Sequence, residues 1–216
     1  MRILASALAC TILLGPLGGC QSMMYRALET VGIEKRDLLA RRVSQARDSQ
    51  AEAKEQFASA LDQFRALVNV EGGDLERIYD RLNGEYEDAQ SRAKEVSDRI
   101  AAVETVAGDL FAEWEDELDR YSDPNLRRDS QRLLSDTRKR YSTLIASMRR
   151  AERSMAPVLE MFEDRVLALK HNLNARAIGQ LKGELRQIEQ KTSTLMRDME
   201  RAISEADAFI ERIRLN

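Results

Sequence analysis

Apolar residues recur at alternating spacings of three and four along almost the whole chain, and that rhythm constrains the fold more than any other feature. On an α-helix such spacing gathers residues onto one stripe, whereas a strand would need alternation by two. The first stripe runs through Val43, Ala46, Gln50, Ala53, Phe57, Ala60, Phe64 and Leu67, with Gln50 as its polar member. Gly72-Gly73 stops it, and Asp74 is a candidate N-cap for the next helix. That helix places Leu75, Leu82, Ala89, Val96, Val103 and Leu110 in one heptad position and Tyr79, Tyr86, Ala93, Ile100, Ala107, Trp114 and Tyr121 in the other. A heptad repeat held this long without slippage belongs to helices packed side by side.

Ser122-Asp123-Pro124 ends the second helix and starts a third, because Asp123 can cap and proline is tolerated in a first turn. The third stripe is Leu134, Thr137, Tyr141, Leu144, Met148, Ala151, Met155, Val158 and Phe162, continuing to Leu169, with Pro157 expected to remove a backbone hydrogen bond and bend the helix. A fourth runs through Ile178, Leu181, Leu185, Ile188, Thr192, Leu195, Met199, Ala202, Ala206, Phe209 and Ile213. Neither Gly nor Pro separates the last two stripes, so two readings stand: four helices, or three with a long kinked last one. In the four-helix reading the segments 25–71, 74–121, 124–171 and 174–214 are of similar length, as an up-down-up-down bundle requires. Leu61, Val68, Ile145, Leu159, Ile203 and Ile210 widen the stripes beyond what a two-stranded coiled coil uses. The expected fold class is therefore all-α, an elongated antiparallel helical bundle with coiled-coil-like heptad packing.

The first residues follow a different logic. Arg2, the apolar run Ile3 to Leu14, the breakers Gly15-Pro16 and a run of small residues ending at Cys20 have the order of a secretory signal peptide. Breakers within that run leave it short of the ~20 apolar residues that a spanning helix needs. Leu17-Gly18-Gly19-Cys20 resembles the lipobox of bacterial lipoproteins, in which the cysteine receives lipid and becomes the new N-terminus. The resemblance implies acyl chains, palmitate among them, on Cys20, and two membrane signals already anchor stably. By the same resemblance, Gln21 in place of Asp favours the inner leaflet of the outer membrane, facing the periplasm, over the inner membrane. The implied organisation is a removed signal peptide at 1–19, a lipidated N-terminus and short tether at 20–24, and one bundle domain at 25–216. Cys10 falls in the removed peptide, so Cys20 has no disulfide partner and the exported domain must be held by its core.

Processing would remove Arg2 and no acid, leaving 33 basic against 37 acidic residues. A net negative exported chain without a basic aromatic platform excludes nucleic acid as a partner. Charge is uneven along the chain: residues 74–123 hold 16 acids and 6 bases, and 124–156 hold 3 acids and 9 bases. If the second and third helices pack antiparallel, Glu113, Glu115, Glu117 and Asp119 come near Arg127, Arg128 and Arg132, and pairing between the helices is the first expectation. The sharper alternative makes Arg138, Lys139, Arg140, Arg149, Arg150 and Arg153 a basic face for anionic headgroups or cell-wall carboxylates.

The only histidine lies in a polar cluster, Lys170, His171, Asn172, Asn174 and Arg176, read as a turn or interaction motif; a lone His there caps a helix more often than it shuttles protons. Carboxylate-bridged metal centres in bundles need two Glu-x-x-His motifs, and here Ala168 stands three residues before the one His. No phosphate loop or nucleophile elbow occurs, so neither catalytic residues nor a cofactor or metal are expected. The aromatics on the second stripe are expected to be core.

Glu34-Lys35-Arg36-Asp37, Gln56-Phe57, Gly73-Asp74-Leu75-Glu76, Leu110-Phe111-Ala112-Glu113-Trp114-Glu115, Pro157-Val158-Leu159 and Leu169-Lys170-His171-Asn172-Leu173-Asn174-Ala175-Arg176 together resemble the bacterial domain of unknown function 2959 family. That resemblance implies an envelope context and no particular chemistry. The anchor, the long bundle and the lack of a catalytic motif give two expected roles, a lipid-tethered rod that docks another envelope protein or the cell wall, or a carrier that opens around an apolar or lipid ligand with Pro157 and 170–176 as its moving part; an enzyme with a site around His171 ranks third. Oligomeric state has no signature in the sequence.

Overall fold

The computed structural model describes residues 35–68, 75–171 and 175–215, the side chains of 75, 175–180 and 215 excepted. The chain divides into two compact units, Met1–Lys35 and Arg36–Asn216, and the second is the bundle. The expected signal peptide, Cys20, its tether and the turns expected from residue 25 lie outside the described residues, as do Gly72, Gly73 and Asp74.

Four helices make up the bundle: α1 Lys35–Val68, α2 Leu75–Leu118, α3 Pro124–His171 and α4 Ala175–Leu215. No strand occurs among the described residues. At 1.5 Å per residue the helices run about 50 to 70 Å. Asp123 caps α3 as its position suggests, its Oδ1 accepting from the Asn125 amide at 2.7 Å and its carbonyl from the Arg127 amide at 3.0 Å. Pro157 lies inside an uninterrupted α3.

Ion pairs and hydrogen bonds give each helix its direction. Arg47, Lys54 and Arg65 climb α1 while their partners Asp207, Glu200 and Glu189 descend α4, so the two are antiparallel. Arg92 meets Glu52, and Gln56 donates to Glu85, which reverses α2 against α1. Trp114 to Ser130, Glu104 to Arg149 and Ser97 to Glu152 set α3 antiparallel to α2. Asp198 to Arg150 and Glu184 to Arg165 do the same for α4 against α3. The chain therefore reverses between His171 and Ala175, and the four-helix reading holds over a continuous last helix.

The stripes are the core. All eight positions of the first, Val43 to Leu67, are buried, Gln50 included, and Leu61 and Val68 beside them are buried too. Phe57, Phe64 and Phe162 are wholly enclosed, and Phe64 meets Phe162 across the bundle with ring centroids 6.5 Å apart. Burying one such side chain contributes roughly 1.5–3 kcal/mol, so three rings and nine aliphatic neighbours of equal burial dominate stability. Tyr79, Tyr86 and Trp114 are half-buried against the core. Tyr121 departs from expectation: α2 ends at Leu118, Arg120 donates back to the Glu117 carbonyl in a tight turn, and Tyr121 swings out to 42 % exposure. The heptad spacing continued past the point where Asp123 and Pro124 required the helix to stop.

Candidate functional site

The six residues of the candidate basic face divide between ion pairs and open solvent. Arg138 pairs with Glu115 and lies over the Phe111 ring at 5.3 Å. Arg149 donates to Glu104 at 2.9 Å and to both oxygens of Glu152 at 2.9 and 2.7 Å. Those two carboxylates hold its guanidinium well above the usual arginine range, Glu104 most strongly. Arg150 turns the other way, donating to Asp198 of α4 at 2.9 Å. Lys139, Arg140 and Arg153 are exposed and make no ion pair among the described residues.

The expected trio at the α2–α3 turn is met in part. Arg127 pairs with Asp119 at 2.7 Å, whereas Arg128 bonds Asn125 and Arg132 faces Asp129 of its own helix at 3.8 Å. The antiparallel offset carries Glu115 to Arg138 instead, a turn or more beyond the expected partners. Arg138 holds the Glu115 carboxyl below the usual carboxylate range. Behind these pairs, Phe111, Tyr141 and Phe209 pack edge to face at 5.4 and 6.5 Å. Burial, reinforced by the Glu104 charge, pushes the Tyr141 phenol up to about 12.

Lys170 and His171 close the last turn of α3, both exposed, where a positive or donor side chain suits the negative end of the helix. Asn172 and Asn174 lie outside the described residues, and of Arg176 only its place in α4 is described.

Buried polar groups are what the stripes hid. Asp198 is 8 % exposed and accepts from Arg150 and from the Ser154 hydroxyl, both at 2.9 Å. Gln50, at 0 %, has no hydrogen-bond partner on either amide atom, and the Thr192 and Ser147 hydroxyls are buried without one. Gln50 and Thr192 were visible as polar members of apolar stripes; Ser147 and Asp198 sit one step beside a stripe and carried no signal.

Among the described residues, the exposed large apolar side chains lie near the ends. They are Tyr121 and Leu126 at the α2–α3 turn and Leu167 near the far end of α3. Glu117, Arg120 and Tyr121 line an open hollow of about 350 Å³ at that turn. Among the described residues no group of His, Cys, Asp and Glu is placed to hold a metal, and no helix is long and apolar enough to cross a membrane.

Fold and surface thus define an antiparallel four-helix bundle with charge-paired flanks, whose exposed large apolar side chains, among the described residues, lie near its ends. The chain belongs to the family described as protein of unknown function (DUF2959), whose model matches residues 24–213. Comparison with curated proteins and with solved structures finds no match.

Proposed function

We propose that this protein is a lipid-anchored structural or adaptor protein of the bacterial envelope, tethered through Cys20 to the inner leaflet of the outer membrane and non-catalytic. The observation that carries the reading is the distribution of exposed apolar residues on a long bundle: Tyr121 and Leu126 at one end, Leu167 at the other. A long bundle with charge-paired sides and exposed apolar side chains near its ends suits the bridging of two surfaces. The order of residues 2 to 20 supplies the anchor.

Growth on labelled palmitate should mark the wild-type protein and leave Cys20→Ser unmarked, and density fractionation should place the marked protein with outer membranes. Crosslinking in intact envelopes followed by pull-down should recover one protein or cell-wall partner reproducibly. Native mass spectrometry of the unlipidated protein should give the bare chain mass. A co-purifying apolar ligand would replace the adaptor reading with the carrier.

A further inference from the structure

We propose that the α2–α3 turn end of the bundle rests on the zwitterionic headgroup layer of the membrane carrying the tether, with Tyr121 and Leu126 entering the interface. The inference rests on the reading of Cys20 as the lipid anchor. Three observations meet at this end. Tyr121, just past α2, is 42 % exposed and Leu126, in the first turn of α3, 57 %, so an aromatic and an aliphatic are both exposed at this end. The chain enters the bundle here: the Arg36 guanidinium lies 5.4 Å over the Trp114 ring, one turn from the end of α2. Cys20 is fifteen residues before Lys35, a reach of at most ~50 Å when extended. A lipid on Cys20 therefore keeps this end within that reach of the bilayer, while the end with Leu167 and His171 lies ~70 Å further along the 48-residue α3.

The chemistry of the tip selects the surface. Tyrosine concentrates at the headgroup level, where its ring is in apolar material and its hydroxyl in water. Arg120, Arg127, Arg128 and Arg132 stand at the turn with Glu117, Asp119, Asp123 and Asp129 among them, and Arg212 and Arg214 with Glu211 close the last turn of α4 at the same end. Asp119 is occupied by Arg127, and Asp123 by the start of α3. A tip so balanced gains little from anionic lipid. The hollow lined by Glu117, Arg120 and Tyr121 instead offers a carboxylate and a guanidinium together, which match the ammonium and the phosphate of a phosphoethanolamine headgroup.

The processed protein has no free thiol once Cys20 is lipidated, so an introduced cysteine can carry a single environment-sensitive fluorophore. The lipidated full-length chain bearing Ser122→Cys at the tip, or Lys170→Cys at the far end, would be reconstituted in phosphatidylethanolamine–phosphatidylcholine vesicles whose acyl chains are brominated. Both sites are exposed, and circular dichroism would check that helicity is kept. The tip label should be quenched at least about twofold more than the far label, as headgroup-level insertion requires, and equally at low and high salt. Adding Tyr121→Ser with Leu126→Ser should abolish the difference. Equal quenching of the two labels, or quenching that survives the double serine variant, overturns the proposal. A chain that floats with the vesicles yet keeps its tip label unquenched leaves the anchor standing and sinks this inference alone. A chain that does not float sinks both.

Discussion

Gln50→Leu should make the bundle more stable, although it removes a polar residue from the middle of a helix. Gln50 is 0 % exposed, and neither its amide nitrogen nor its oxygen has a hydrogen-bond partner. Ala46 and Ala53, a turn to either side on the same stripe, are wholly buried as well. On α4, Ala202 and Ala206 lie between Glu200 and Asp207, the partners of Lys54 and Arg47, so the buried residues that α1 and α4 bring to this level beside Gln50 are small. An amide buried without partners costs about 1–3 kcal/mol, and leucine of similar volume removes that cost without opening a cavity. Taking ~2 kcal/mol, and 2–4 °C per kcal/mol for a domain of this size, the melting temperature should rise by about 4–8 °C. Thermal unfolding followed at the helical circular dichroism band measures this. Urea unfolding should show a higher midpoint with unchanged slope, meaning that the compactness of neither state has altered. A melting temperature unchanged or lowered would refute the reasoning: the amide would then be satisfied in the folded protein, by an internal water that leucine evicts.

Gly84, Gly108 and Gly183 lie inside helices with open space where a Cβ would stand, so converting all three to alanine should add about 2–3 kcal/mol, read as a higher denaturation midpoint. Removing either partner of the Arg150–Asp198 pair should have unequal effects. Arg150→Ala strands a carboxylate whose side chain is 11 % exposed and should cost about 1–3 kcal/mol, whereas Asp198→Ala frees a guanidinium already 59 % exposed and should cost less; equal losses in urea unfolding would show that the pair does not carry the difference. Tyr141 has its folded pKa raised from 10.0 to about 12, so its contribution is complete below pH 10 and is lost as pH rises from 10 towards 12. Absorbance titration should show Tyr141 ionising last, with Tyr86 also delayed by burial, and Tyr141→Phe should remove the latest phase; a single phase in the wild type would contradict the burial. Glu115 and Glu200 are shifted downward by Arg138 and Lys54, so their contributions are present above the ordinary glutamate range and are lost as acid takes pH through their lowered values. Arg138→Gln should accordingly flatten the acid limb of stability against pH.

The helices were legible because burial follows period, and a period survives in sequence. Every residue named on the first stripe is buried, and so are Leu144 to Phe162 on the third and Ile188 to Ile213 on the fourth at the positions named. Legibility stopped where a period cannot encode the outcome. Tyr121 kept heptad spacing past the end of α2, because the spacing is blind to the cap at Asp123. The charge blocks announced that α2 and α3 attract, but their offset depends on how far the turn carries the chain, so Arg138 rather than Arg128 or Arg132 reaches back across to Glu115. Asp198 was opaque because its burial comes from Arg150 and Ser154 on another helix, not from its own neighbours. The candidate surface was least legible of all: the repeat that contains Tyr121 assigned it to the core, and Leu126, in the first turn of α3, belongs to no repeat.

One further consequence concerns register, which the apolar stripes alone leave degenerate. Sliding α4 by seven residues along α1 returns every apolar stripe position to an equivalent one, at a loss confined to the ends. The three pairs Arg47–Asp207, Lys54–Glu200 and Arg65–Glu189 keep one offset throughout. A slide in one direction sets Arg65 level with Lys182 and Lys54 with Ser193, keeping only Arg47 opposite an acid, Glu200. The opposite slide sets Arg47 level with Arg214 and Arg65 with Met196, keeping only Lys54 opposite Asp207. Either slip therefore exchanges three attractions for one attraction and one repulsion. Each exposed pair is worth only ~0.2–1 kcal/mol, so these pairs contribute little to stability as such. Their combined difference, with the end heptad left unpaired by a slip, still separates the native offset from its nearest competitors. The flanking charges are thus placed for choosing among bundles that the core alone would accept.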